Sequence, residues 1–405
     1  IDRLVDDSRP DAPMWNIENI RMGKAPHWNY IDGCMVCAFM EIAEITGNKK
    51  YSDFVEQFVD YYVFDDGTIR GYDKEKYNLD DVNEGRVLFP LYKKTGKEKY
   101  RLAIELQKSQ LRDQPRTNTG NFWHKLIYPN QIWLDGLYMA QVFSAMYAKE
   151  YEGGDYSDLL MQIKNVRKYM FSPEHRLYYH GLDCSKSIFW ADPETGLSKN
   201  FWLRAIGWFT VSMVDIIGIV DNEDVRREIT EIFRETIDGI LQYRDPESKM
   251  YYQVVNMGER AGNYLETSGS AMIAYAVMKG ARIGALPAEY WTLGRESFDG
   301  IVSKYLTATE DGKLNLSGIC LTPSCFHNLP HKESKCIFVF AFFIICKRFR
   351  VCINNTFNNN FKFFIPFGIT RNKECSITVS NLCNSRHTVD ILAIISNRAE
   401  NFEPS

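Results

Sequence analysis

The sequence repeats a pair of segments of opposite character, and this repeat constrains the fold more than any other feature. The first segment of each pair is apolar on nearly all sides, opens with polar and aromatic residues and ends in a turn that contains glycine. The second segment is amphipathic, with apolar residues at helical spacing and a charged stripe on the opposite side. The apolar segments begin near Trp28, Leu79, Gln131, Phe201 and Tyr264.

These pairs predict a layered fold made of helices. A helix that is apolar all round is buried, whereas an amphipathic helix keeps one side in water, so the two kinds form concentric inner and outer layers. Strand signals are confined to short pieces such as MYYQVV at 250–255. We therefore predict an all-α toroid of helical hairpins, with five pairs recognisable before residue 290 and a sixth pair formed near the chain ends.

Charge, hydropathy and motif spacing exclude several classes of function. The 48 basic residues are balanced by 52 acidic ones, so the chain has no basic excess that would favour nucleic acid. The longest apolar run, IFVFAFFIIC at 337–346, is shorter than a membrane span of about 18 residues. No phosphate-binding glycine motif and no metal-binding histidine pair occurs. Cys34 and Cys37 form a CxxC inside an apolar helix, which favours buried packing over redox chemistry.

Polar residues recur where each apolar segment begins. If all inner helices point the same way, these positions meet at one end of the ring. The helix dipole alone favours Asp and Glu in first turns, but it does not explain why Trp and Arg recur there as well. We therefore expect one polar rim, formed by His27, Asn29, Tyr30, Asp32, Asp80, Asp81, Trp133, Asp135, Trp202, Arg204, Trp208, Tyr264 and Glu266.

The composition of this rim suits a sugar acid as ligand. Helix N-termini present free N–H groups to anions, and Arg204 adds a planar fork that matches a carboxylate. Trp133, Trp202 and Trp208 offer faces for stacking. Asp135 follows Trp133 closely, and an apolar neighbour holds the proton of a carboxyl group more tightly, as a general acid requires.

The roles of the other polar residues are less sharply indicated. Asp80 is the natural second carboxylate, because a conventional glycosidase uses two such groups at a defined separation. An equally good interpretation is that Asp80 or Asp81 caps the second inner helix. His124 and His180 lie on loops that lead into the third and fourth inner helices, which favours contact with substrate over metal binding. An isolated histidine is nevertheless more often an ordinary surface residue.

Five segments together resemble glycoside hydrolase family 105. They are HWNYIDG, LDDVNEGRVLFPLYKKTG, HKLIYPNQIWLDGLYMA, FWLRAIGW and NYLETSGSAMIAYAVMKGARIG, in this order, within a match that ends at residue 319. The family contains the unsaturated rhamnogalacturonyl hydrolases and is related to the unsaturated glucuronyl hydrolases of family 88. The resemblance implies an (α/α)6 barrel, an unsaturated uronyl oligosaccharide from lyase-degraded pectin as substrate, and no metal or organic cofactor.

The resemblance also implies a mechanism unlike ordinary glycoside hydrolysis. Polysaccharide lyases leave a C4=C5 double bond in the terminal sugar acid, and this family hydrates that enol ether. An Asp protonates C4, water adds at C5, and the hemiketal opens and releases the neighbouring sugar. By motif, Asp135 is the general acid and then the base, Asp80 assists, and Arg204 and His180 lie near the carboxylate and the reacting face. The implied stacking and lining residues are Trp133, Trp202, Trp208, His124, Tyr128, Asn29 and Tyr30.

Residues 320–405 depart from the family pattern. They contain no Trp or Tyr, a single glycine and seven of the ten cysteines. We predict a catalytic domain at 1–319 and an anomalous tail at 320–405, so that the sixth hairpin is incomplete or replaced. The favoured interpretation of the tail is a shifted reading frame; the alternatives are a genuine added segment and a small Cys-rich module. Leu203 and Ile206 also differ from the smaller or polar residues usual in the family.

Three functions compete at this stage. The first is hydrolysis of an unsaturated uronyl oligosaccharide. The second is another activity of the same toroid, either a conventional inverting glycosidase or a sugar epimerase, although an epimerase would place histidines on the inner helices. The third is a non-catalytic sugar-binding remnant.

Overall fold

The computed structural model describes residues 1–16, 23–310 and 314–320. Within these ranges five helical hairpins follow one another along the chain, each with an inner and an outer helix. The predicted tail beyond residue 320, and the part of a sixth hairpin that it would supply, lie outside the described residues.

The elements are labelled in chain order, beginning with the short helix α1 (Asp2–Asp6). The first two hairpins are α2 (Tyr30–Thr46) with α3 (Lys49–Tyr62), and α4 (Leu88–Thr95) with α5 (Glu98–Asp113). The third inner helix combines α6 (Leu134–Gly136), a π-helical segment (Leu137–Gln141) and α7 (Val142–Tyr151), and it pairs with α8 (Ser157–Met170). The last two hairpins are α9 (Leu203–Ile219) with α10 (Glu223–Leu241), and α11 (Thr267–Arg282) with α12 (Tyr290–Tyr305).

Burial separates the two layers as predicted. Every residue of α9 from Leu203 to Ile217 is buried. Its partner α10 buries one stripe, which includes Ile229, Phe233 and Ile237, and leaves its charged side in water. The inner helices α9 and α11 pack side by side. The layered all-α arrangement expected from the repeat is therefore confirmed for the described hairpins.

Two inner segments begin differently from the prediction. The helix expected from Gln131 starts at Leu134, because Gln131–Trp133 form strand β1, which pairs with the later strand β4 (Gly181–Asp183). The helix expected from Leu79 starts at Leu88 and follows two 3-10 turns, Leu79–Asp81 and Asn83–Val87. Here the Gln107 side chain donates to the Asp81 carbonyl at 2.8 Å and takes the acceptor that an α-helix would use.

Short β-pairings join the loops between hairpins. Besides the pair of β1 and β4, two antiparallel strand pairs occur in the described residues. They are β2 (Phe171–Ser172) with β3 (Leu177–Tyr178), and β5 (Leu306–Ala308) with β6 (Leu314–Leu316). The segment MYYQVV forms single bridges, Trp202 with Val254 and Tyr252 with Leu265, rather than a continuous strand. It thereby ties together the starts of α9 and α11.

The interior of the ring contains a charged cluster. Asp215 of α9 lies 2.8 Å from Arg86 Nη2 and 2.7 Å from Lys279 Nζ, and it accepts a hydrogen bond from Tyr275. These residues come from three different inner segments, so the cluster links them across the ring. None of the helices described here combines the length and the apolar character needed to cross a bilayer.

Candidate active site

The starts of the inner segments meet at one end of the ring. The backbone N–H of Asn29 donates to Glu84, and that of Leu134 donates to the His180 carbonyl at 3.1 Å. The N–H of Leu203 donates to the Gln253 carbonyl at 2.9 Å. These hydrogen bonds link the starts of the inner segments to the loops and turns beside them.

Asp135 lies in the first turn of α6, where it is half-buried. Its Oδ2 is shielded from solvent and has no hydrogen-bond partner within the described ranges. Burial raises the pKa of Asp135 to about 7, and the negative charge of Asp80 adds to this while Arg204 opposes it. A carboxyl group in this state can hold a proton near neutral pH and give it up, which is the property that a general acid requires.

Asp80 lies in the first 3-10 turn and has a contrasting environment. Its Oδ2 is 2.6 Å from Lys125 Nζ, and its Oδ1 is 3.4 Å from His124 Nε2. Burial acts against the charged form, but Lys125 and His124 outweigh it and hold the pKa of Asp80 below its usual value. The capping interpretation is wrong, because Asn78 accepts the N–H of Asp80 and caps this turn.

His124 and Tyr128 both pack against Trp133. Their rings stack on the indole at centroid distances of 4.7 and 5.0 Å. Burial lowers the pKa of His124 to about 4, so this histidine is neutral at pH 7 and Lys125 is then the cation that keeps Asp80 ionised. The indole ring of Trp133 is thus packed against the rings of two other predicted site residues, His124 and Tyr128.

Arg204 lies in the first turn of α9 beside a second aromatic group. Its guanidinium carbon is 4.6 Å from the Trp202 ring centroid, and its Nη1 donates to the main-chain carbonyl of Cys320. His180 packs edge-on to Trp202 at 6.1 Å, and burial lowers the pKa of His180. Asp135 is among the groups whose negative charge raises the pKa of Arg204, so the two charges are near enough to interact.

Two predicted substrate contacts have structural roles instead. Asn29 caps α2: its Oδ1 accepts from the N–H groups of Ile31 and Asp32, and its Nδ2 donates to His27 and to Asp32. This leaves the amide no group for a ligand. Trp208 is 2% exposed and stacks on Tyr138 at 4.7 Å, because the second turn of α9 already faces the core.

The remaining predicted positions differ in exposure. Tyr30 is half-buried and meets Trp208 edge-on at 6.2 Å. Leu203 and Ile206, where the sequence departs from the family pattern, are fully buried and belong to the core. The CxxC residues Cys34 and Cys37 form no disulfide, and burial raises the pKa of both thiols, which agrees with the packing interpretation.

Sequence reasoning missed the residues that set the charge of the site. One of them is Lys125, the cation that pairs with Asp80. The only sequence feature that could have indicated its role is its place directly after His124, a predicted site residue. Glu84 was also missed, whereas Asp32 was among the predicted rim residues, and both are fully buried. Burial raises the pKa of Asp32 to about 6 and that of Glu84 well above its usual value. In the described ranges, no three His, Cys, Asp or Glu side chains are grouped as a metal site requires.

The chain is similar to known glycoside hydrolases in sequence and in fold. The family profile described as Glycosyl Hydrolase Family 88 matches residues 4–337. Among solved structures, a glycoside hydrolase of family 105 from C. acetobutylicum ATCC 824 shares 36% identity and a TM-score of 0.75, over 86% of this chain and 98% of that one. An unsaturated glucuronyl hydrolase from Bacillus sp. GL1 shares the fold, with a TM-score of 0.58 at 13% identity over 80% of this chain and 87% of that one.

Curated relatives match over shorter stretches. Protein Atu3128 of Agrobacterium fabrum is 36% identical over 147 residues, which are 35% of this chain and 63% of that protein. The chain thus spans less than two thirds of that relative. The unsaturated rhamnogalacturonyl hydrolase YesR of Bacillus subtilis is 26% identical over 264 residues, which cover 63% of this chain and 72% of YesR.

The structural likeness confirms the predicted (α/α)6 toroid class. Together with the profile match over most of the chain, it shows that the chain belongs to the family 88 and 105 glycoside hydrolases.

Proposed function

We propose that this protein hydrolyses unsaturated uronyl oligosaccharides by hydrating the C4=C5 double bond of the terminal sugar acid. The observation that carries the proposal is the contrast between two neighbouring carboxyl groups. The pKa of Asp135 is raised to about 7, whereas Lys125 keeps the pKa of Asp80 below its usual value. Two carboxyl groups held in opposite protonation states allow one to donate a proton while the other stays anionic.

Asp135 is the proton donor in this proposal. An enol ether is electron-rich, so transfer of one proton to C4 starts the reaction and leaves positive charge at C5 and the ring oxygen. The shielded Oδ2 of Asp135 supports this role, because no hydrogen-bonding group among the described residues competes for its proton. After the transfer, the Asp135 carboxylate accepts a proton from the water that adds to C5, and the hemiketal then opens.

Asp80 stabilises the charge that develops and orients the water. An ionised carboxylate next to the reacting carbon favours a cationic transition state. Its ion pair with Lys125 at 2.6 Å fixes its position. Arg204 binds the sugar carboxylate, with Trp202 beneath its guanidinium to hold the plane of the fork.

The leaving sugar is proposed from the relatives. YesR is named an unsaturated rhamnogalacturonyl hydrolase, and we assign this chain to the same substrate class, the unsaturated galacturonyl fragments of rhamnogalacturonan. We place the catalytic unit in residues 1–319 together with Cys320, which contacts Arg204 and Glu266, and we propose that the rest of the predicted tail at 320–405 is foreign to it.

The test is incubation with the unsaturated oligosaccharides that a rhamnogalacturonan lyase produces. The conjugated double bond absorbs in the ultraviolet, so hydration appears as a loss of that absorbance. We expect loss with the wild-type protein and a reduction of at least about 100-fold in Asp135→Asn, because general acid catalysis supplies 10²- to 10⁴-fold. The matched control is Asp238→Asn on the outer helix α10, where Asp238 accepts a hydrogen bond from Tyr290 far along the chain from the rim segments.

Other outcomes identify the competing functions. Cleavage of the unsaturated oligosaccharides with retention of the ultraviolet band indicates a conventional glycosidase. Conversion of one sugar into its epimer without cleavage indicates an epimerase. Binding of the oligosaccharide without loss of absorbance indicates a non-catalytic module.

A further inference from the structure

We propose that Glu266 is a positioning residue that fixes the guanidinium of Arg204 through the main chain of Cys320. This inference rests on the proposed role of Arg204 in binding the substrate carboxylate. Glu266 itself is the N-cap of α11, and among the described contacts it forms no direct ion pair with Arg204.

Glu266 has more partners than a helix cap needs. It is fully buried, and its two oxygens accept from the N–H groups of Ser268 at 3.0 Å and Gly269 at 2.7 Å. The shorter residues Ser, Thr, Asp and Asn are preferred for such a cap. The longer Glu side chain also accepts the N–H of Cys320 at 3.0 Å. Its length is therefore explained by the second task, which is to hold a segment that lies outside the helix.

That segment is residues 314–320, which we call the strap. Thr267, the first residue of α11, holds it at two points: its N–H donates to the Gly318 carbonyl at 2.8 Å and its hydroxyl donates to the Ser317 carbonyl at 2.7 Å. Gly318 has a φ of 74°, and a Cβ there would lie 2.7 Å from the Tyr305 ring. The strap thus follows one path across the start of α11.

Cys320 ends the strap between the two charged residues. Its N–H is bound by Glu266, and its carbonyl accepts from Arg204 Nη1. Its thiol lies 3.4 Å from Gln253 Nε2, so a third group fixes its place. Glu266 consequently determines where the acceptor for Arg204 lies.

The arrangement matters because recognition of a carboxylate by arginine depends on orientation. A long side chain has many rotamers, and a planar fork binds two oxygens well only when its plane and edge are fixed. Trp202 lies 4.6 Å below the guanidinium and fixes its plane. The hydrogen bond from Nη1 to the Cys320 carbonyl restricts rotation within that plane, which in this proposal reserves the other guanidinium nitrogens for the substrate carboxylate.

The experiment compares two substrates that differ in one charge. They are the unsaturated galacturonyl disaccharide as the free acid and as its methyl ester. In Glu266→Gln we expect KM for the acid to rise about tenfold, the effect of losing a hydrogen bond to a charged group, with kcat nearly unchanged. KM for the ester should stay at the wild-type value, because the ester does not use the charge of Arg204.

Two further variants separate positioning from folding. Thr267→Val is nearly isosteric and removes one anchor of the strap while it keeps Glu266, so it should show the same acid-selective loss on a smaller scale. The control is Ser212→Ala, which removes a buried hydroxyl that donates to the Phe209 carbonyl of its own helix α9 at 2.8 Å, and its ratio of acid to ester KM should match the wild type. If Glu266→Gln does not fold, Thr267→Val decides the question.

Three results would overturn the proposal. Equal losses on acid and ester would show that Glu266 only supports the fold. A lower KM for the acid would show that the strap obstructs Arg204. An unchanged acid-to-ester ratio in both Glu266→Gln and Thr267→Val would show that the strap is not needed.

Failure of the proposed function is recognised separately. If the wild-type protein binds galacturonate in calorimetry but does not hydrate the disaccharide, the hydrolase proposal is wrong. The positioning role is then measured by the galacturonate affinity of the same variants, and an affinity unchanged from the wild type would contradict it.

Discussion

At the scale of single residues, environment rather than residue type separates the two carboxyl groups of the site. Asp135 lacks a hydrogen-bond partner for Oδ2, and burial raises its pKa to about 7. Asp80 is buried as well, but it has a lysine at 2.6 Å, and its pKa is lowered. Desolvation favours the neutral form of any carboxyl group, and a close cation reverses that preference.

This contrast predicts the pH dependence of activity. A donor must be protonated, so kcat/KM should fall as the pH rises through about 7, the value for Asp135. Burial also raises the pKa of Asp81 to about 7. The experiment must therefore distinguish the titration of Asp81 from that of Asp135. We expect Asp81→Asn to retain the alkaline fall in a pH–rate profile. If the fall disappears in Asp81→Asn, the titrating group is not Asp135.

At the scale of elements, the inner segments pack closely through glycine. In α2, Gly33 lies against the second 3-10 turn, and a Cβ there would be 2.6 Å from the Cα of Glu84. The contact brings the backbone of two inner segments together near the rim. This close approach also allows the backbone N–H of Asn29 to donate a hydrogen bond to the Glu84 carboxylate at 2.9 Å.

Replacement of this glycine should therefore be destabilising. We expect Gly33→Ala to lower the free energy of unfolding by ~1–3 kcal/mol, because a backbone neighbour cannot move as a flexible side chain can. Denaturant titration measures the change. The control is Gly218→Ala in α9, where the new Cβ meets only Lys279 Cε at 4.0 Å. Alanine has the higher helix propensity, so Gly218→Ala should be neutral or stabilising, and equal losses at both sites would contradict the packing argument.

At the scale of the whole molecule, a buried charge cluster joins inner segments that are far apart in sequence. Asp215 of α9 pairs with Arg86, which precedes α4, and with Lys279 of α11. Burial disfavours the charged form of Asp215, but Lys279 and Arg86 outweigh this and lower its pKa. A lowered pKa gives a stabilising contribution that is present above the ordinary Asp pKa and is lost as the pH falls.

Removal of the central charge should weaken the whole ring. Asp215→Asn leaves two buried cations without a counter-charge, so we expect a loss of ~3–5 kcal/mol in the free energy of unfolding at pH 7. Asp158→Asn breaks the exposed ion pair with Arg116 and should cost less than ~1 kcal/mol. The difference between the variants should shrink in acid, where Asp215 is protonated in the unfolded chain. A difference that does not depend on pH would contradict the assignment.

The sequence by itself determined the layers of the fold, and it predicted the end of the ring where the site lies and the two catalytic candidates. Those features depend on periodicity and on the residues that begin each inner segment, which are local properties of the chain. Only the tertiary structure decided that Asn29 is a cap and Trp208 a core residue, that helix α6 begins after strand β1, that Lys125 pairs with Asp80 and that Cys320 contacts Arg204. These depend on burial and on partners distant in sequence, such as Gly181 opposite Trp133 and Cys320 opposite Arg204. Periodicity within one segment contains no information about such partners, because the free energy of a buried charge is set by whatever the fold brings next to it.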